Sequence, residues 1–410
     1  MTDRDDLGLF EGYGIEIEYM IVDRDSLSVL PITDRLLDDQ SRDDGDIAWS
    51  NELALHVVEL KTNGPVTSIP AQVAAFNRSR NKLLAELHPH GARLMPGAMH
   101  PWMDPHSEFR IWPHGDRVIY AALDRIFDCR GHGWANLQSM HVNLPFQGDD
   151  QLARLHAAIR LVLPLLPGLA ASSPLMEGRA TQWLDTRMLV YRDNCRRIPN
   201  ITGAVIPESI HGYDSYQTTI LEPMYAAIAP QDAEGTLQHE WLNARGAIAR
   251  FDRNAIEIRV LDSQECVSAD LAIAELAVAT IRGLVEENWS SHATQLDWPL
   301  SSLVSLLEAG MKKAEQTEIH DAAYLRLFGF TRSSSTTLSR LWEQLANSAT
   351  ARGLLSDRAG YWVEHYLRHG CLARRILEAI KTDARRPAMQ RVYGQLCNNL
   401  DNDNFFAPSP

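Results

Sequence analysis

The chain has 410 residues, 45% hydrophobic and 22% charged, which is the make-up of an ordinary globular protein with room for a large core. Lys and Arg total 39 against 53 Asp and Glu; the net charge of −14 argues against nucleic acid as a partner, because counterion release needs a basic face. No apolar run suits a bilayer, MTDRDDLGLF lacks a signal peptide's apolar stretch, and the five scattered cysteines contain no CxxC pair, so a cytoplasmic protein with no membrane partner is expected.

In chain order, period-two runs predict strands at GIEIEYMIV (14–22), ALHVVEL (54–60), MHVNL (140–144) and AIEIRVL (255–261). The Asp-rich stretch from Asp34 to Asp46 reads as a solvated loop; Gln40 and Arg42 stand where a calcium loop would need carboxylates. Ser68 and Pro70 open a helix with Val73, Phe76, Leu83, Leu84 and Leu87 at helical spacing, closed by Gly91. Asp149 or Asp150 caps a second helix, which Pro164 and Pro167 end. Strands alternating with helices on a mixed pattern predict an α+β fold with helices packed on a sheet. After about residue 268 the strand signal stops: Ser268 caps an Ala-rich helix, and amphipathic segments follow near 301–316, 337–348, 357–381 and 385–397, before a tail expected to be mobile. One catalytic domain is expected, with the site on a 10–265 sheet core and a helical 268–400 part packed against it.

The informative residues alternate with the apolar ones. In the first run Ile15, Ile17, Tyr19 and Ile21 share one face, and Glu16 and Glu18 the other. Glu257 and Arg259 pair off in the same way in the last run, as do His141 and Asn143 in the third. Glu52 and Glu59 are seven residues apart, so either Glu52 precedes the strand or a bulge intervenes. A solvated second face is the plain alternative, but it would mix signs, whereas these runs read as five glutamates with one Arg, one His and no Lys nearby. Two carboxylates about 5 Å apart repel by roughly 3 kcal/mol at an effective dielectric near 20. Several converging need cations, and many Glu oxygens with one imidazole suit Mg²⁺ or Mn²⁺. There is no GxxxxGK[ST], HExxH or GxSxG, and neither GYG (12–14) nor GHG (131–133) completes GxGxxG.

GIEIEYMIV, NELALHVVELKTNGPV, GAMHPW, HVNLPF, SSPLMEGRATQWLDTR and FDRNAIEIRVLD, in that order over roughly residues 10–265, resemble the glutamate–cysteine ligase type 2 group, above all its bacterial carboxylate–amine ligase branch. The resemblance implies a glutamine synthetase-like catalytic fold: a curved, mainly antiparallel sheet of about six strands that presents metal-binding glutamates. Carried over, Glu18, Glu52 and Glu59 would bind one Mg²⁺ or Mn²⁺, and Glu16, His141 and Glu257 a second between nucleotide phosphates. Arg259, with Glu257, would serve catalysis at the transferred phosphoryl group, and Arg187, Arg179, Asn143 and His100 would line the substrate or nucleotide side; His100, in a turn-rich loop, reads equally as a histidine bonded to backbone. The implied partners are ATP, a glutamate-like amino-acid carboxylate and an amine acceptor, and a homo-oligomer is compatible with them.

Departures fall at Thr181-Gln182-Trp183, at MHPWMDP and in the arginine-rich stretch Arg187, Arg192, Arg196 and Arg197, where the amine would lie, so the acceptor need not be cysteine. The arginine stretch reads as a lid or an ordinary surface. Cys195 among these arginines could have a lowered pKa but has no identifiable base; His56 reads as structural, and Trp102, Trp112 and Trp134 as core. The rival functions are kinase-type phosphotransfer, metal-assisted phosphate-ester hydrolysis and a nucleotide-binding regulatory protein without turnover.

Overall fold

The first run forms β1 (Gly14–Asp23), whose Ile15, Ile17, Tyr19 and Ile21 are sealed from solvent on one face. This computed structural model describes residues 7–37, 41–381 and 385–408. β2 (Ser41–Asp44), β3 (Ile47–Asn51), β4 (Val57–Thr62), β5 (Ala92–Met95) and β6 (Ser139–Pro145) follow. The two-residue strands β7 (Leu175–Met176) and β8 (Arg179–Ala180) pair apart, and β9 (Ala247–Arg250) and β10 (Ala255–Asp262) complete an eight-stranded sheet. Its order is β2-β3-β4-β1-β6-β10-β9, β5 pairs with the far end of β1, and every pairing is antiparallel.

The sheet therefore has eight strands rather than about six. The four strands that sequence periodicity misses (β2, β3, β5 and β9) are four or five residues long, too short to show two full alternations. Part of the Asp34–Asp46 stretch is not a loop: Ser41–Asp44 is an edge strand in a hairpin with β3, while residues 38–40 lie outside the described residues. Its acids find cations, with Asp44 paired to Lys82, and Asp46 to Arg78 at 3.0 Å. Charged edges of this kind discourage pairing with a further strand.

Helices cover the apolar face. Gln72–Leu87 buries Phe76, Leu83 and Leu87, and Trp49 of β3 donates its indole N–H to Ser79 at 2.6 Å. One further turn ends at Gly91, whose φ of 65° favours glycine. Gly148–Val162 starts without a side-chain cap, so neither Asp149 nor Asp150 caps it. Val267–Val285 is buried on all sides except at Arg282, as its continuous Ala, Val, Leu and Ile content dictates. Cys266, not Ser268, takes its N-cap position; Ser268 instead donates both its N–H and its hydroxyl to Asp403.

The C-terminal helices span Leu300–Lys313, Leu338–Ala351, Asp357–His369, Leu372–Ile380 and Arg386–Asn402. Gly370 (φ 77°) breaks the 357–381 segment into two. A two-residue strand pair, β11 (Glu318–Ile319) with β12 (Thr336–Thr337), lies within this part, so the strand signal does not stop at 268. The tail is docked at Phe406. Phe406 is buried, its carbonyl accepts from Arg375 at 2.6 Å, and its N–H donates to Glu265 at 3.2 Å.

Candidate active site

Residues directly opposite in an antiparallel pair project from the same face. β1 pairs with β4 so that Glu16 faces Lys61 and Glu18 faces Glu59. On its other side β1 pairs with β6, setting Glu16 against His141 and Gly14 against Asn143. β6 then sets Asn143 against Glu257 of β10. Four adjacent strands thus lay the predicted residues in neighbouring rows. The register of β10 slips between Ile258 and Leu261, a bulge that holds Arg259. There the Arg259 N–H donates to the Gly246 carbonyl at 2.9 Å, and Gly246 must be glycine, since a Cβ would come within 2.5 Å of Val260 Cγ1.

Glu52 is in neither strand. It lies in the connection between β3 and β4, which folds back so that oxygens of Glu18, Glu52 and Glu59 lie within 4.8 Å of one another. A second group with the same spacing is Glu16, Glu59 and His141. Glu257 lies beside that group rather than in it, 3.9 Å from His141 Nδ1. Its carboxylate is bridged by two guanidiniums, Arg259 Nε at 2.5 Å and Arg250 Nη1 at 3.3 Å.

The face is not free of lysine. Lys61, two residues beyond Glu59, puts Nζ 2.8 Å from it. Ser50 donates to Glu59 at 2.5 Å, Ser139 donates its N–H to Glu18 at 2.7 Å, and His141 Nδ1 is 3.2 Å from Glu16. These partners divide the charge. Burial opposes the charge of His141, but its hydrogen bond with Glu16 and the charges of Glu18, Glu16 and Glu257 outweigh it and raise the pKa to about 9. Burial also acts on Glu16, yet His141 and Lys61 hold its carboxyl well below the usual range; burial acts on Glu257 too, and Arg259 nevertheless lowers its pKa. Burial and then the charge of Glu16 raise Glu59 to about 7; burial and the charges of Glu18 and Glu59 push Glu52 well up. Oxygens of Glu18, Glu52 and Glu59 thus converge within 4.8 Å of one another, with Lys61 and His141 beside them. An oxygen-rich donor set with one imidazole fits Mg²⁺ or Mn²⁺.

The rows floor a cavity of about 490 Å³, whose lining includes Glu16, Glu18, Glu52, Glu59, His141, Arg187, Glu257 and Arg259. An adjoining cavity of about 450 Å³ shares Glu16, Lys61 and Arg253 and adds Asn143, whose amide donates to Glu16 at 3.0 Å while its buried Oδ1 has no partner among the described residues. Arg187 reaches the first cavity from the helix Thr186–Asp193, but its Nε is held by Asp262 at 2.6 Å and its Nη2 donates to the Arg259 carbonyl at 3.2 Å. It therefore braces the strand that carries Arg259.

His100 and Arg179 line neither cavity. His100 is wholly buried, with Nε2 2.8 Å from the Leu27 carbonyl, because the turn-rich loop packs inward. Arg179 is exposed on the β7–β8 hairpin. Arg192, Arg196 and Arg197 also lie outside the first cavity, which takes Tyr191 and Asn194 from that segment. Burial raises Cys195 to about 12 and thereby opposes the expected activation. His56 is buried, Trp112 is in the core, and Trp134 lines the cavity. Of the residues that sequence reasoning missed, Lys61 was visible in the alternation of ELK, whereas Arg250 depends on the short strand β9.

Comparison with known proteins agrees with this architecture. The family model for glutamate–cysteine ligase family 2 matches residues 13–395. An Archaeoglobus fulgidus protein named only "Uncharacterized protein" is 33% identical over 306 residues, 73% of this chain and 80% of its own. A Corynebacterium glutamicum protein named "Putative glutamate--cysteine ligase 2" is 24% identical over 253 residues, 61% of each chain. Among solved structures, the glutamate–cysteine ligase from Francisella tularensis in complex with AMP superposes with a TM-score of 0.60 at 14% identity, covering 95% of this chain and 89% of that one. The bifunctional glutathione synthetase from Pasteurella multocida gives 0.61 at 15% identity, with 96% of this chain spanning 53% of that one. At these identities the structural likenesses establish a shared fold. Among the described residues, no helix is long and apolar enough to cross a membrane. The match of the family model along nearly the whole sequence shows that this chain belongs to glutamate–cysteine ligase family 2.

Proposed function

We propose that the protein is an ATP-dependent ligase that joins a glutamate-like carboxylate to an amine through an acyl phosphate. The observation that carries this reading is the arrangement of Glu16, Glu18, Glu52, Glu59 and His141 on one face, with Arg259 set beside them in a bulge of β10. A free carboxylate does not react with an amine at a useful rate, because its oxygen is a poor leaving group. Transfer of the γ-phosphoryl of ATP to that oxygen makes an acyl phosphate and releases ADP; the amine nitrogen then forms the C–N bond as phosphate leaves.

Glu18, Glu52 and Glu59 would hold one divalent ion, and Glu16 and His141, with Glu59 or Glu257, a second. Such ions would neutralise charge on the phosphate oxygens. Arg259, fixed by Glu257, offers its remaining N–H donors to the oxygens of the transferred group, where charge shifts during the reaction. Glu257 accepts from that guanidinium, and the Arg187 side chain donates to the backbone carbonyl of Arg259, so the two keep it aimed. Charged Lys61, beside Glu16 and Glu59, opposes the like charges when no nucleotide is bound.

The test is ADP release from purified protein with Mg²⁺-ATP, glutamate and hydroxylamine, with mass spectrometry of the product. A hydroxamate is expected. ADP without a hydroxamate would select simple phosphotransfer, and nucleotide binding without ADP would select the regulatory reading.

A further inference from the structure

We infer that the amine acceptor is an apolar or aromatic monoamine without a carboxylate, rather than an amino acid such as cysteine; this rests on the ligase reading above. The walls of the 490 Å³ cavity differ in kind. Among the described residues its Lys and Arg side chains (Lys61, Arg187, Arg250, Arg253 and Arg259) come from β4, β9, β10, the turn between those last two and the helix Thr186–Asp193. Each already faces a carboxylate: Glu59, Asp262, Glu257, Asp252 and Glu257 respectively.

A second part of the lining comes from residues 51–54, Asp116 with the helix Arg117–Phe127 that follows it, and the 133–137 segment. It presents Leu53, Ile119, Tyr120, Leu123, Trp134 and Leu137. These pieces form one surface. Asn51 donates its amide to the Tyr120 hydroxyl at 3.1 Å, and Trp134 stacks on Phe127 of the helix with ring centroids 5.6 Å apart. Ile119, Tyr120, Trp134 and Leu137 are only half-buried, so they keep apolar area for a ligand to cover.

Among the described residues this part of the lining carries no Lys or Arg, and its charged side chains are the acids Glu52 and Asp116. An α-carboxylate docked here would lose its water and gain no partner. An ammonium group would meet Asp116 and Glu52, the latter close enough to act electrostatically on Tyr120, while its hydrocarbon body covered the apolar residues. In the transfer step the ammonium first loses one proton to solvent, the nitrogen lone pair attacks the acyl carbonyl, and the nitrogen gives up a second proton to solvent as the amide forms. The C–O bond to phosphate breaks, and the oxygen keeps that electron pair.

The experiment compares 2-phenylethylamine, isoamylamine, cysteine and glycine as acceptors with Mg²⁺-ATP and glutamate, with hydroxylamine as a probe that needs no acceptor pocket. Amide products from the two apolar amines, with kcat/KM at least about tenfold above cysteine, are expected. Leu137→Arg, and independently Ile119→Arg, should move that ratio toward cysteine by at least about tenfold, because each supplies the missing cation. Hydroxamate formation with cysteine preferred over both apolar amines overturns the acceptor assignment and leaves the ligase reading standing. Absence of ADP and hydroxamate with every acceptor overturns both.

Discussion

Glu18 of β1 stands directly opposite Glu59 of β4, two carboxylates on one face of adjacent strands. Like charges so placed destabilise a sheet. The fold offsets this with Ser139 donating to Glu18, and Ser50 and Lys61 donating to Glu59. It then adds Glu52 from the β3–β4 connection to the same cluster. An acid pair supported in this way is suited to a cation. Mn²⁺ or Mg²⁺ should therefore stabilise the protein against unfolding, by about 2.7 kcal/mol at a hundredfold excess over Kd. The near-isosteric Glu52→Gln should lose most of that gain while keeping the metal-free stability of the parent. Denaturant melts with and without Mn²⁺ decide it, and an undiminished gain in Glu52→Gln would remove Glu52 from the metal set.

The pairing of Arg259 with Glu257 leads to a kinetic prediction. Arg259→Lys keeps the positive charge but not the planar fork, so Glu257 can no longer fix the donors aimed at the phosphoryl oxygens. Turnover should fall by at least about 100-fold, taking a single electrostatic contact at roughly 2.7–4 kcal/mol. The midpoint of unfolding should move far less. Glu257→Gln should behave in the same way, and near-normal ADP release by either variant would sink the assigned role.

The alternation in GIEIE and AIEIR made the floor of this site legible, because a two-residue period carries face information without any structure. Register carries none. That Glu18 meets Glu59 while Glu16 meets both His141 and Lys61 depends on which strands are neighbours, and β3 and β9 were too short to announce themselves. Glu52 shows the difference: its seven-residue distance from Glu59 admitted two explanations, and the β3–β4 connection is the one realised. At His100 the backbone-bonded alternative is the one realised, and the tail is docked at Phe406 rather than mobile. Turn-rich or polar segments look solvated in sequence, yet the loop at His100 packs inward, and the tail is held by the Arg375–Glu265 pair.

That buried pair predicts where stability is concentrated. Arg375 Nη1 lies 2.5 Å from Glu265 and also donates to the Phe406 carbonyl, so one guanidinium ties the helix Leu372–Ile380 to the end of β10 and to the tail. Both side chains are essentially sealed from water. Arg375→Ala would leave Glu265 charged and uncompensated, at a cost of about 3–5 kcal/mol. Guanidinium denaturation should show that loss together with faster proteolysis of the tail, and a change below about 1 kcal/mol would show that the pair contributes little.

The last prediction concerns acid. His156, on the helix Gly148–Val162, is buried with its ring edge-on to Tyr216 at 6.0 Å, and neither ring nitrogen has a hydrogen-bond partner among the described residues. Burial first, and then the charges of Arg160 and Arg245, lower its pKa from 6.5 to about 3. The folded pKa lies below the unfolded one, so the unfolded chain takes up the proton first as pH falls. This contribution is fully present above pH 6.5 and is lost progressively down toward pH 3. At pH 5 the loss from this one side chain is roughly 2 kcal/mol. His56, lowered to about 3, and His100, lowered to about 4, act in the same direction, so the difference between variants isolates His156. His156→Phe keeps an aromatic ring against Tyr216 and removes the titration. Between pH 7.5 and pH 5 it should therefore lose roughly 2 kcal/mol less stability than the parent in urea unfolding. Identical losses in the two proteins would mean that His156 takes up its proton within the folded state.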